Sequence, residues 1–147
     1  MHMMRGLMLL MEAKISDQSW YHGTDRRDVQ FAPDRLVFFA ADPKHAASFA
    51  GRPGFLVKAR LSCQHPINED DLLQVGVTLG IIRHAGDLFS ADYPDFPDVS
   101  SFLSHAKVRR YLEQRGYDAY WGTDGYFEAV VVWNPELIRI ESVTPVS

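Results

Sequence analysis

Three short stretches of this chain carry the side chains most able to do chemistry together. Tyr21-His22-Gly23-Thr24 offers an imidazole beside a residue with no side chain, so a ligand can approach main-chain N–H and C=O groups closely. Phe38-Phe39-Ala40-Ala41-Asp42 is followed by Phe49, eleven residues after Phe38, so a strand and the helix after it both offer aromatic faces. Glu128 precedes Ala129-Val130-Val131-Val132, so one carboxylate stands at the mouth of an apolar run. A carboxylate there is costly unless it faces a cleft or is used. The set suits a flat cationic ring bearing a carboxamide. The backbone beside Gly23 would take the amide, and the aromatic faces would take the ring by area and cation–π attraction. A fixed carboxylate would stabilise positive charge as a glycosidic bond breaks.

Each piece has a plainer reading. His22 could be a histidine satisfied at a strand end, Phe38, Phe39 and Phe49 could be core, and Glu128 could face solvent on an edge strand. Their order along the chain raises the chemical reading above the separate plain ones.

The elements that would position them follow from local signals. Ser19 to Thr24 and Arg35 to Ala40 read as strands. Asp42-Pro43 opens a helix through Lys44 to Ala50, with Asp as cap, Pro at the first position and Gly51 as stop. Phe55 to Leu61 alternates apolar residues with others and reads as a strand. Asn68 caps a short helix over Glu69–Leu73, and Val77 to Arg83 fits strand or helix. Two prolines within Asp92–Asp98 make that stretch a loop. Ser100 or Ser101 caps a helix running to Arg115 and ended by Gly116. Tyr117 to Trp121 reads as a strand, Gly122–Gly125 as a turn, and Tyr126 to Trp133 as the next strand, broken by Asn134-Pro135. Leu137 to Val143 closes the pattern. Strands outnumber helices without regular alternation, so the class is α+β with mostly antiparallel pairing.

A length of 147 residues is that of one domain, and 46% hydrophobic with 23% charged residues fits a soluble globular protein. The net charge of −4 argues against a broad grip on nucleic acid. The lone Cys63 excludes an intrachain disulfide, and no Cys/His spacing suggests a metal site. The apolar run Gly6–Met11 is shorter than a typical signal-peptide core or a membrane span. Residues 1–11 read as an N-terminal extension or cloning scar, residues 12–147 as one domain, and the expected location is cytoplasmic.

The order His-Gly-Thr, aromatic strand and helix, then Glu before a valine run resembles the His–Tyr–Glu signature of the ADP-ribosyltransferase family. The helix–Gly116-Tyr117-Asp118 lead-in and Asn134-Pro135 before Leu137-Ile138-Arg139-Ile140 resemble the family's C-terminal half. The resemblance spans roughly Trp20 to Ile140 and implies a fold of split, mostly antiparallel sheets flanked by short helices. It implies NAD⁺ as co-substrate, no metal, and transfer of ADP-ribose to an acceptor. The catalytic residues would be Glu128 and His22, with Tyr21, His22, Gly23, Thr24, Phe38, Phe39, Ala40 and Phe49 binding the dinucleotide. By this likeness His22 contacts the ribose next to adenine and Gly23 holds the nicotinamide amide. The chain departs from the family in having Phe38 for the motif tyrosine, which keeps stacking and loses a hydroxyl, and in carrying Ala41 as one extra residue. Arginine-modifying members have a Glu or Gln two positions before the catalytic Glu. Tyr126 stands there, which makes an arginine acceptor less expected. The acceptor is expected to be a protein, with nucleic acid or a small molecule as alternatives, and Gly76 to Ser100 is the segment expected to read it. NAD⁺ hydrolysis and a catalytically silent NAD- or ADP-ribose-binding module are the other readings.

Overall fold

A computed structural model of the chain describes residues 14–33, 35–83, 99–124 and 127–146. Among these, seven strands form one sheet: β1 (Trp20–Thr24), β2 (Val37–Ala40), β3 (Gly54–Leu61), β4 (Pro66–Asn68), β5 (Ala119–Asp124), β6 (Phe127–Val132) and β7 (Ile138–Val146). Their spatial order is β4-β5-β6-β2-β1-β3-β7, and every pairing is antiparallel except β4 with β5. The helices are α1 (Pro43–Ala47), α2 (Glu69–Thr78), α3 (Val99–Leu103) and α4 (Ala106–Gln114), with a 3₁₀ turn at Pro135–Leu137. The α+β class and mostly antiparallel pairing follow the sequence pattern.

One break in the ladder shapes the molecule. β1 pairs with β3 at five positions from Trp20↔Ala59 to Thr24↔Phe55, but with β2 only at Tyr21↔Ala40. The sheet is therefore open between β1 and β2 beyond that point. Apolar clusters cover its two faces. Ile67, Leu72, Phe102, Val108, Leu112, Tyr120 and Val131 pack one side with α2, α3 and α4. Ile15, Trp20, Phe39, Val57, Ala59, Val130 and Val132 fill the other. The Trp20 indole donates to the Ile15 carbonyl over 2.8 Å, which ties the segment before β1 onto that second cluster.

Local signals account for three helix ends. The Asp42 carboxylate accepts from the Lys44 and His45 amides at 2.8 and 3.3 Å, with Pro43 opening α1. The Asn68 side chain accepts from the Asp71 amide at 2.8 Å, and Glu69, Asp70 and Asp71 complement the positive end of α2. After α4, Gly116 at φ 77° lets the Gly116 and Tyr117 amides turn back onto the Glu113 and Leu112 carbonyls.

Four expectations need revision. The helix expected from Ser100 to Arg115 is two helices, because His105 is extended (φ −65°, ψ 128°) and its Nδ1 accepts from the Lys107 amide at 3.2 Å, capping α4. The helix from Asn68 runs on to Thr78 rather than stopping at Leu73, so Gly76 lies inside a helix rather than opening a loop. The turn expected at Gly122–Gly125 begins later, because Gly122, Thr123 and Asp124 pair with Ala129, Glu128 and Phe127. The short strand β4 was not anticipated. The Asp92–Asp98 loop, Tyr126 and residues 1–11 lie outside the described residues.

Candidate active site

Cross-strand partners share a face of a sheet, so the register decides which side chains meet. Tyr21↔Ala40 and Ala40↔Ala129 put those three side chains on one face. Their neighbours His22, Phe39 and Glu128 therefore belong to the opposite face. Ring contacts agree, with His22 centred 5.7 Å from Phe39 and 5.5 Å edge-on to Phe31.

The His22 ring enters the gap where the ladder opens, with Nδ1 2.8 Å from the Phe38 carbonyl oxygen. A carbonyl only accepts, so Nδ1 carries the hydrogen and the neutral ring leaves Nε2 as an acceptor. Burial lowers the His22 pKa and keeps the ring neutral, against the smaller opposing effect of the Phe38 bond.

A cleft of about 540 Å³ opens beside the split. Its floor includes Phe38, Ala40, Ala129 and Val131 from the sheet; α1 supplies His45 and Ala46, the turn after it supplies Phe49, and Glu69, Val99 and Ser100 stand among its other lining residues. Of the residues expected to bind the dinucleotide, Tyr21, His22, Gly23, Phe38, Phe39, Ala40 and Phe49 all line it. Phe38 and Phe49 are 41% and 67% exposed, high values for phenylalanines in a folded chain, and their faces are open to a ligand. Phe39 is instead 1% exposed and belongs to the core. Thr24 does not line the cleft; its hydroxyl accepts from the Arg26 amide at 3.3 Å.

Gly23 has a second reason to lack a side chain. A Cβ there would run into the Ala46 carbonyl oxygen and stand 3.0 Å from the Ala50 nitrogen, so β1 packs directly on the backbone of α1. The position of Phe49 depends on that close approach.

Glu128 lies beside the cleft rather than among its lining residues. Its cross-strand partner Thr123 and its neighbour Ala129 do line it. Glu128 Oε1 is 2.8 Å from Lys14 Nζ, whose ammonium also lies 5.1 Å from the Trp121 ring centre. Glu128 Oε2 is buried without a hydrogen-bond partner among the described residues.

Several cleft residues had escaped the sequence reading. His45 stacks on Phe127 (4.2 Å, 12°) and meets Phe49 edge-on at 5.2 Å. Its spacing of four from Phe49 would put both on one face of a helix running to Ala50, a signal available in the sequence, although the helix ends at Ala47 and Phe49 lies in the turn that follows. Tyr120, Thr123 and Glu69 come from distant elements and carry no local mark, whereas Val99 and Ser100 end the segment expected to read the acceptor. Among the described residues no group of three or more His, Cys, Asp or Glu side chains could hold a metal ion, and no helix is long and apolar enough to cross a membrane.

No protein-family model matches the chain, and no curated protein matches it. The crystal structure of an anti-CRISPR protein superposes on 88% of this chain and 95% of its own length, with a TM-score of 0.47 and 14% identity, a likeness too slight to bear on function.

Proposed function

We propose that the protein is an NAD-dependent mono-ADP-ribosyltransferase acting at the split between β1 and β2. The observation that carries this reading is the combination, at one break in the sheet, of His22 hydrogen-bonded in the gap, two exposed aromatic faces in the adjoining cleft, and Glu128 on the same sheet face as His22. The volume falls in the range of small-molecule sites, and the lining is aromatic with few polar groups, which fits a nicotinamide half.

In this proposal Phe38 and Phe49 stack on the cationic nicotinamide ring. The Gly23 backbone takes its carboxamide, and His22 Nε2 accepts from a ribose hydroxyl. The dinucleotide supplies a glycosidic bond whose leaving group, nicotinamide, departs neutral with the bonding electron pair. Glu128 stabilises the positive charge on the sugar and receives the proton of the acceptor, whose nucleophilic atom bonds to C1′. Acting there requires the Glu128 carboxylate to give up Lys14, and the partnerless Oε2 lowers the cost of that exchange. A protein is the acceptor this reading favours.

The test is nicotinamide release and transfer of labelled ADP-ribose in a lysate, wild type beside Glu128→Gln. Loss of release by about 100-fold or more is expected for removal of a charge-stabilising and proton-accepting group. Undiminished release from Glu128→Gln would sink the proposal. Release without a labelled macromolecule would move the reading to hydrolysis.

A further inference from the structure

Tyr120 is 2% exposed, yet it lines the cleft. It pairs with Val131, which pairs with Phe38, so the three side chains stand in one row across β5, β6 and β2. Its hydroxyl is buried and has no hydrogen-bond partner among the described residues. Gly122, two residues along the same face, makes room for it. A Cβ on Gly122 would overlap the Tyr120 hydroxyl and stand 2.6 Å from Cζ, so the ring lies along the strand with its polar end over a bare backbone.

A buried hydroxyl left unpaired costs about 1–3 kcal/mol, and proteins keep few of them. A phenylalanine would fill the same space at no such cost. Because the residue lines the cleft, a bound molecule that opens the wall at this point can supply the missing partner. Burial, with the Glu69 carboxylate nearby, raises the Tyr120 pKa, so the phenol keeps its proton and can donate as well as accept. Glu69 and Ser100 line the same cleft and add an acceptor and a second hydroxyl.

We propose that the Tyr120 hydroxyl is a ligand-binding group of the cleft, satisfied by a hydroxyl-bearing part of the occupant such as a ribose diol. Hydroxyls both donate and accept, which matches a wall of phenol, serine and carboxylate. The choice of ribose rests on the NAD reading above, whereas the assignment of the orphaned hydroxyl to ligand binding rests on geometry alone.

The experiment is calorimetric titration of the full chain with ADP-ribose, NAD⁺ and nicotinamide, comparing wild type with Tyr120→Phe, alongside thermal melts. Tyr120→Phe is expected to melt at the wild-type temperature or above it, to bind ADP-ribose about 5- to 20-fold more weakly, and to bind nicotinamide unchanged. Gly122→Ala, which pushes the hydroxyl from its place, gives an independent variant and is expected to weaken ADP-ribose in the same way. ADP-ribose affinity within twofold of wild type in both variants would overturn the Tyr120 assignment while leaving the transferase reading intact. Tyr120-sensitive ADP-ribose binding with no nicotinamide release from NAD⁺ would support the assignment and defeat the transferase. A wild-type chain that binds neither ADP-ribose nor NAD⁺ would overturn both.

Discussion

Replacing Gly23 by alanine tests how the cleft is held together. The added methyl would collide with the Ala46 carbonyl oxygen and sit 3.0 and 3.2 Å from the Ala50 nitrogen and Cα. All three obstacles are backbone atoms, so no rotamer change relieves them. Carbon–oxygen contacts settle near 3.3–3.6 Å, so α1 must lift by about 1 Å. β1 cannot yield instead, because it is clamped to β3 at five positions. Overpacking of this kind costs about 1–3 kcal/mol, and rigid neighbours place this case at about 2–3 kcal/mol. For a domain of this size that lowers Tm by about 4–12 °C. The same displacement carries Phe49, so ADP-ribose or NAD⁺ binding should weaken along with stability. Gly80→Ala is the control: its Cβ meets nothing within 4 Å, and only its φ of 71° resists substitution, at about 1–2 kcal/mol. Thermal melting and ligand titration of the two variants read both effects. A Gly23→Ala protein that melts within 1 °C of wild type, or above Gly80→Ala, would refute direct packing of β1 on α1.

Three further outcomes follow from the same structure. Asp118 accepts from the Gln64 and His65 amides at 2.7 and 3.0 Å and anchors the approach to β4, so Asp118→Ala should cost about 2–3 kcal/mol in urea unfolding, and an unchanged midpoint would contradict that role. Burial, aided by Asp118, raises the Cys63 thiol to about 12, so native protein should resist thiol reagents at pH 8 until it unfolds. The folded thiol holds its proton more tightly than the unfolded one, so its contribution is complete below about 9 and is lost as pH rises toward 12; Cys63→Ala should flatten that alkaline decline. His22 behaves oppositely. Its lowered pKa means the unfolded chain takes the proton first, so stability is complete above about 6.5 and falls as pH drops below it. His22→Asn should shrink the difference in urea midpoint between pH 7.5 and 5.5, and parallel declines in the two proteins would count against a buried neutral ring.

Where the chain turns or caps itself, the signal lay in adjacent residues. Asp42-Pro43 opens α1 and Asn68 opens α2 as their side-chain chemistry predicts, and Asn134-Pro135 breaks the chain after β6. The misread boundaries share a cause: a non-local partner outweighed a local preference. Gly122-Thr123-Asp124 suits a turn, yet Phe127, Glu128 and Ala129 were placed to pair with it. β4 has three residues and little periodicity, and it exists because Asp118 holds the preceding amides in line for parallel pairing with β5. The break at His105 depends on an imidazole acting as a cap, a role more often filled by Ser, Thr, Asp or Asn.

The sequence by itself determined the α+β class, the starts of α1 and α2, and the order of imidazole, aromatic pair and carboxylate. These depend on side-chain types and short spacings, which a linear chain displays in full. Tertiary structure alone decided that β1 and β2 part after one pair, that His22 fills the gap by bonding Phe38, and that Gly23 is bare because α1 lies on it. It also decided that Glu128 is paired with Lys14 and that the Tyr120 hydroxyl is left without a partner in the cleft wall. These are statements about register and contact between residues far apart in the chain. They are set by how two sheet faces bury their apolar sides at once, a condition that no local stretch of sequence expresses.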